Sequence, residues 1–307
     1  MLQTILEMFV VVALGVVVRR IGLGGLPPEQ LRRGITDVVF YVLLPALVLL
    51  TLWRAELGWS TFKISALAIT GVISALALSR LLCRLCGLSR RKSAALMLAA
   101  AFPNVTYLGL PVLENTFGHQ ARSIAIQYDL FACTPLLLTL GILVAQRYGD
   151  RGPGGGMFTR LLKVPPLWAA LIAVALNLAA VPVPAMLASV LDSLASAVVP
   201  LMLLALGMGL FWPARGQLEV VALANPVIIQ LLLMPLLVFG GTVLLGLEGW
   251  VRTAVVLEAA MPSMVIGIVL CDRYGLDSAL YAMTVTVSTL LSLVTLPLWY
   301  QWVSGGF

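Results

Sequence analysis

Two acidic residues stand inside long apolar runs of this chain, where an ionisable side chain is costly and marks functional chemistry by default. Glu258, in TAVVLEAAMPS, precedes Pro262 by four residues, one helical turn from the point where proline interrupts a helix. Asp129 lies in IQYDLFACTP, five residues before Thr134. Such carboxylates, set beside backbone carbonyls released by a helix break, can take up a proton or a cation. Glu258, Asp129 and Thr134 are therefore candidates for ion or proton coupling. A structural hydrogen bond to a neighbouring helix is the plainer alternative for either acid.

A second chemistry is carried by Pro103-Asn104 and Pro262-Ser263. Pro103 lacks a backbone donor and blocks a helical turn; with Asn104, Thr106 and Gly109 behind it, a break is expected midway along an apolar run. Broken backbone at membrane depth is tolerated only where it lines a cavity or is buried in protein. Asn104 and Ser263 are placed to cap the half-helices that follow. Two half-helix N-termini facing one cavity would offer unbonded N–H groups and positive dipole ends to an anion. Pro103, Asn104, Thr106, Pro262 and Ser263 are thus candidate substrate-binding residues. Simple proline kinks would explain either break alone, but less readily a matched pair.

Soluble-enzyme signatures are lacking. The single histidine excludes a two-His metal site, and no G-x-S-x-G, Walker A or H-E-x-x-H motif occurs. No catalytic residue and no cofactor are expected from these motifs. Cys83 and Cys86 form a C-x-x-C without a second ligand pair; with Cys133 and Cys271 they read as separate thiols.

The elements that position these groups follow from composition. The 307 residues are 61% apolar and 10% charged, against about 25% charged in a soluble domain. With a mean hydropathy of +1.06, this describes an all-α integral membrane protein. Ten apolar windows are expected to span, near 3–18, 35–53, 64–82, 93–117, 122–146, 165–181, 187–211, 219–246, 252–271 and 278–303. The first, from Met1 to Val18, lacks the basic start and cleavage site of a signal peptide.

The Gly-rich stretch at 147–164 divides the chain into 1–146 and 165–307. Asp37 precedes Pro45 by eight residues, and Asp192 precedes Pro200 by eight. From there to the next marked proline is 58 residues in one half and 62 in the other. Two five-helix repeats are implied, inverted because five is odd, with broken helices 4 and 9. Asp37, Pro45, Asp192 and Pro200 are gating or scaffold candidates, with helix N-terminal capping as a simple role for the two acids. Fifteen of the 19 Lys and Arg residues fall in odd-numbered loops. The positive-inside rule then places both termini outside and the Gly-rich linker in the cytoplasm. The net charge of +6 reads as topology, not as a nucleic-acid surface.

The stretches FPNVTYLGLPVLENTFG, AAMPSMVIGIVLCDRYGLD and STLLSLVTLPLW resemble the auxin efflux carrier family, which includes the plant PIN-FORMED exporters. The resemblance implies the fold of the bile acid sodium symporters. Spans 1, 2, 6 and 7 would form a scaffold, and spans 3–5 and 8–10 a mobile transport domain. Helices 4 and 9 would cross at Pro103-Asn104 and Pro262-Ser263, with the substrate carboxylate beside them and an elevator-like movement carrying it. Glu258 resembles the acidic residue that accompanies sodium in the bile acid relatives; the plant exporters do without sodium, so coupling to sodium, to protons or to neither stays open. The expected function is secondary transport of a small organic anion across the plasma (inner) membrane, with the bilayer and a second copy of the chain as partners. A membrane-embedded lipid-modifying enzyme and an anion channel are the alternatives.

Overall fold

In a hydrocarbon environment every backbone polar group must find its partner within the protein, so a chain this apolar folds as helices. The computed structural model describes residues 2–22, 25–55, 57–149, 164–210 and 220–305. Linker residues 150–163, and Arg215 of the loop charges, lie outside the described residues. The helices are α1 (Leu2–Ile21), α2 (Pro28–Trp53), α3 (Trp59–Leu85), α4 (Arg90–Ala101), α5 (105–117) and α6 (His119–Tyr148). After the linker come α7 (Pro165–Leu178), α8 (Ala185–Gly209), α9 (220–244), α10 (Gly249–Ala259), α11 (Gly267–Tyr274) and α12 (Ser278–Gly305). Six of these are long and apolar enough to cross a membrane: α2, α3, α6, α8, α9 and α12. No β-strand forms among the described residues.

Proline placement shapes the long helices. Four π turns, Val39–Leu43, Val105–Gly109, Asp129–Cys133 and Ile229–Leu233, are followed by Pro45, Pro111, Pro135 and Pro235. Each proline stands six residues after the first residue of its turn. Proline cannot bond the carbonyl four residues earlier and its ring crowds that oxygen. The crowded residue is the central one of each π turn, and the widened turn makes room for it. In α9 the released carbonyl has an identified partner: Trp299 Nε1 of α12 donates to Leu231 O at 2.8 Å.

Two helices approach backbone to backbone. A Cβ on Gly15 of α1 would overlap Leu204 O of α8, and one on Gly207 would overlap Val12 O. Small residues at such crossings let membrane helices gain contact without a hydrophobic driving force. The C-terminal half of α2 packs along α7, where Asn177 Nδ2 donates to Trp53 O and Ala55 O at 2.9 and 2.7 Å. Trp53 Nε1 returns a bond to Val181 O at 2.8 Å. Elsewhere α3 packs with α4 and α9, and α12 with α4 and α10.

The capping role expected of Asp37 and Asp192 is overturned. Both lie inside their helices, whose N-cap residues are Pro27 and Pro184. Pro45 sits just behind the π turn of α2, whereas Pro200 follows a turn at Ala197 in α8. The matched sequence pair is therefore realised by two different backbone devices.

Candidate functional site

The α4 helix ends at Ala101 because Pro103 cannot extend it, and Phe102 turns extended at φ −111°, ψ 100°. The chain re-enters helix at Val105, after Asn104 at φ −81°, ψ 59°. Likewise α10 stops at Ala259, Pro262 follows, and helix resumes only at Gly267. The two interruptions lie against each other as an antiparallel pair, with Pro103 opposite Ser263. Asn104 N–H donates to Pro262 O at 2.7 Å, and Met264 N–H to Phe102 O at 3.0 Å. Each break supplies a donor that the other lacks.

Neighbouring side chains complete the accounting. Ala99 O, left without a donor by Pro103, accepts Ser263 Oγ at 2.7 Å. Ser263 N–H donates to Ser288 Oγ of α12 at 3.2 Å, and Ala259 O accepts Gln230 Nε2 of α9 at 3.3 Å. Tyr281 OH donates to Met264 O at 2.9 Å. Ser263, expected as a cap, serves Ala99 instead, because Ile266 holds the N-cap position of α11. Asn104 does stand at the N-cap of the following turn, but through its backbone: its carbonyl accepts Leu108 N–H and Gly109 N–H at 3.2 and 3.0 Å. Its side chain makes no capping bond, and Asn104 Nδ2 is buried without a hydrogen-bond partner.

The coupling candidates separate into two arrangements. Asp129 accepts hydrogen bonds from Thr106 Oγ1 and from Thr134 Oγ1, the latter at 2.8 Å. Thr106 thereby belongs with Asp129 and Thr134, tying α5 to α6. Glu258 is 0% exposed on α10, and neither carboxyl oxygen has a hydrogen-bond partner. It packs against the α-carbon of Gly109: a Cβ there would overlap Glu258 Oε2. No hydrogen bond joins Glu258 to Asp129 among the described residues, although the two acids are within electrostatic reach.

A cavity of about 120 Å³ opens beside the crossing, lined by Asn104, Thr106, Asp129, Thr134, Met202 and Met264 among others. Among the described residues no Lys or Arg lines it. Gln230, Ser288 and Tyr281 escaped the sequence reading, and Gly109 entered it only as part of the break, not as the neighbour of Glu258. Gln230 alone carried a signal, as an amide inside an apolar run. Asp37 is exposed on α2, and Asp192, with its side chain 67% exposed, lies 3.9 Å from Arg122 at a second, larger cavity.

Paired interruptions in a bundle of apolar helices, sealed to each other beside a largely apolar cavity that carries a few polar groups, are a feature of many membrane carriers. Comparison with known proteins places the chain further. It matches the family model described as membrane transport protein over residues 1–152 and 156–300. It is 34% identical over 301 residues to an uncharacterized transporter of Methanothermobacter thermautotrophicus, covering 97% of this chain and 96% of the relative. An uncharacterized transporter of Methanocaldococcus jannaschii is 25% identical over 292 residues, covering 90% and 91%. A third, from Escherichia coli, is 23% identical over 280 residues, covering 88% of each. The chain belongs to this membrane transport family, that of the auxin efflux carriers, and is a multi-pass membrane protein.

Proposed function

We propose that this protein is a secondary transporter of small organic anions, carboxylates above all, working by alternating access. The observation that carries the reading is the Asn104 amide, a buried donor without a partner on the wall of the cavity at the crossing. A carboxylate is the ligand that such a donor suits, because hydrogen bonds to an ionised acceptor are roughly twice as strong as neutral ones. The N-terminus after Asn104 adds N–H groups that its own helix cannot bond, whereas after Ile266 the N–H groups of Ile268 and Val269 already bond Val265 O and Ile266 O.

The topology that fits this reading has ten spans. Six are the long helices, α1 and α7 are two more, and the broken pairs α4–α5 and α10–α11 are the fourth and ninth. Residues 1–146 and 165–307 would then be inverted repeats, with both termini outside the inner membrane. The close seams of α1 with α8 and of α2 with α7 suit a scaffold. The remaining helices would move past it as a transport unit, carrying the crossing and its cargo in an elevator-type motion. On this reading Asp37, Pro45, Asp192 and Pro200 lie on the scaffold side, and the scaffold faces are where a second copy would pair.

Coupling is assigned to the acids. A bare carboxylate in so dry a setting calls for a proton or a cation. The orphaned oxygens of Glu258 fit a sodium ion or a proton, which would supply a positive charge beside the cargo. Asp129, held by Thr106 and Thr134, supplies a second acid at the cavity wall.

Uptake into proteoliposomes tests the reading. Asn104→Ala and Pro262→Ala are expected to abolish saturable carboxylate transport, and Glu258→Gln to remove dependence on a sodium or proton gradient. Unchanged uptake in the first two variants would place the site elsewhere. Wild-type activity indifferent to both gradients would remove the coupling role.

A further inference from the structure

A second, larger cavity lies away from the crossing. It encloses about 580 Å³ between the C-terminal end of α2, the loop into α6, the start of α10 and Asp192 of α8. Among its lining residues are Arg54, Arg122, Gln127, Asp192 and Trp250. By the loop-charge pattern this is the basic-poor end of the bundle, where only Arg54, Lys63, Arg122 and Arg252 break the rule. Two of those four cations line this one cavity.

We propose that this vestibule is a second carboxylate-binding site, where the cargo docks at the outer end of its path. The inference rests on the reading of the chain as an organic-anion carrier. Arg122 is 7% exposed; its Nη2 bonds Glu114, while its Nε is buried with no hydrogen-bond partner. Beside it Gln127, equally buried, has an unpartnered amide oxygen, so the wall retains unused polar capacity. Arg54 is exposed at the C-cap of α2 and has no ion-pair or hydrogen-bond partner among the described residues.

Among the described residues the only acid lining the cavity is Asp192, and its 3.9 Å separation from Arg122 Nη1 is too long for a hydrogen bond. An arriving carboxylate takes the place of Asp192 at Arg122 and comes within the field of Arg54. Leu50, Ile64, Val251 and Trp250 give the same cavity apolar walls. The ligand class is therefore a monocarboxylate with an apolar or aromatic body. The site differs from the crossing in kind: here guanidinium groups hold the anion, whereas among the described residues no Lys or Arg lines the inner cavity.

The test uses the full-length protein in detergent micelles, with 4-fluorobenzoate as the probe followed by 19F NMR and 4-fluorobenzyl alcohol as the uncharged control. Titrations are run on wild type and on an Asn104→Ala background, which takes the crossing out of the measurement. Arg54→Gln, at an exposed position, is expected to weaken binding about fivefold in both backgrounds. Asp192→Asn is expected to strengthen binding, by removal of the competing carboxylate, and added salt to weaken it. Absence of binding, equal binding of the alcohol, or affinity indifferent to both substitutions would overturn the proposal. The two readings fail separately. Probe transported by wild type but unaffected by Arg54→Gln sinks the vestibule alone; probe bound at Arg54 with no carboxylate transported sinks the carrier assignment alone.

Discussion

Asn104 is an amide whose backbone is fully employed and whose side chain is idle, and that division sets what its substitution does. The carbonyl still starts the helix in Asn104→Ala, so the fold should survive while carboxylate affinity falls by about tenfold or more, read by equilibrium binding. Gly109 is the converse case, a position chosen for what it leaves out. Its α-carbon is the floor on which the Glu258 carboxyl rests, so Gly109→Ala should lower stability by about 1–3 kcal/mol in detergent melting. Combining it with Glu258→Ala should recover much of that loss, because the clash has one partner. A double variant as damaged as the sum of the singles would mean that the glycine is needed for another reason. Both acids were found from sequence because a carboxylate in an apolar run stands out, whereas the dependence of Glu258 on Gly109 arises between segments far apart in the chain.

Among the helices, proline acts as a source of free carbonyls, and much of the polar side-chain placement answers to them. In α9 the answer is Trp299, so Trp299→Phe should cost about 1–3 kcal/mol by leaving Leu231 O unbonded. On a Pro235→Ala background the same change should cost less, since residue 235 then carries an N–H able to reach that carbonyl. Equal losses in the two backgrounds, read by thermal unfolding, would disprove the link. The breaks at Pro103 and Pro262 were legible in the sequence because proline acts locally. Who repairs each break was not: Ser263 comes from the other break, Ser288 from α12 and Gln230 from α9, and nothing in a linear pattern pairs them with Ala99, Ser263 and Ala259. The helix caps assigned to Asp37 and Asp192 failed for a related reason. Prolines 27 and 184 start those helices well upstream, leaving both acids in helix interiors.

For the molecule as a whole, sidedness is the first quantity to measure, and one thiol is suited to it. Cys86 is exposed after α3, while Cys83, Cys133 and Cys271 are buried. On the topology proposed from the loop charges Cys86 faces the cytoplasm, so a membrane-impermeant maleimide should label inside-out vesicles and spare right-side-out ones. The reverse pattern would invert the topology and move the Arg54 vestibule to the cytoplasm. Composition revealed the lipid environment, but not the vestibule, because Arg54, Arg122 and Asp192 meet only when three helices converge. The crossing also bears on how the protein is made. Ala99 O receives its hydrogen bond from a residue 164 positions later in the chain. At about 5–20 residues per second, a ribosome takes roughly 10–30 s to deliver that partner. Through this interval Ala99 O lacks the partner it has in the finished fold, and an unbonded carbonyl in lipid costs several kcal/mol. A chain truncated before Pro262 is therefore expected to be degraded faster than the full chain, as read by pulse-chase.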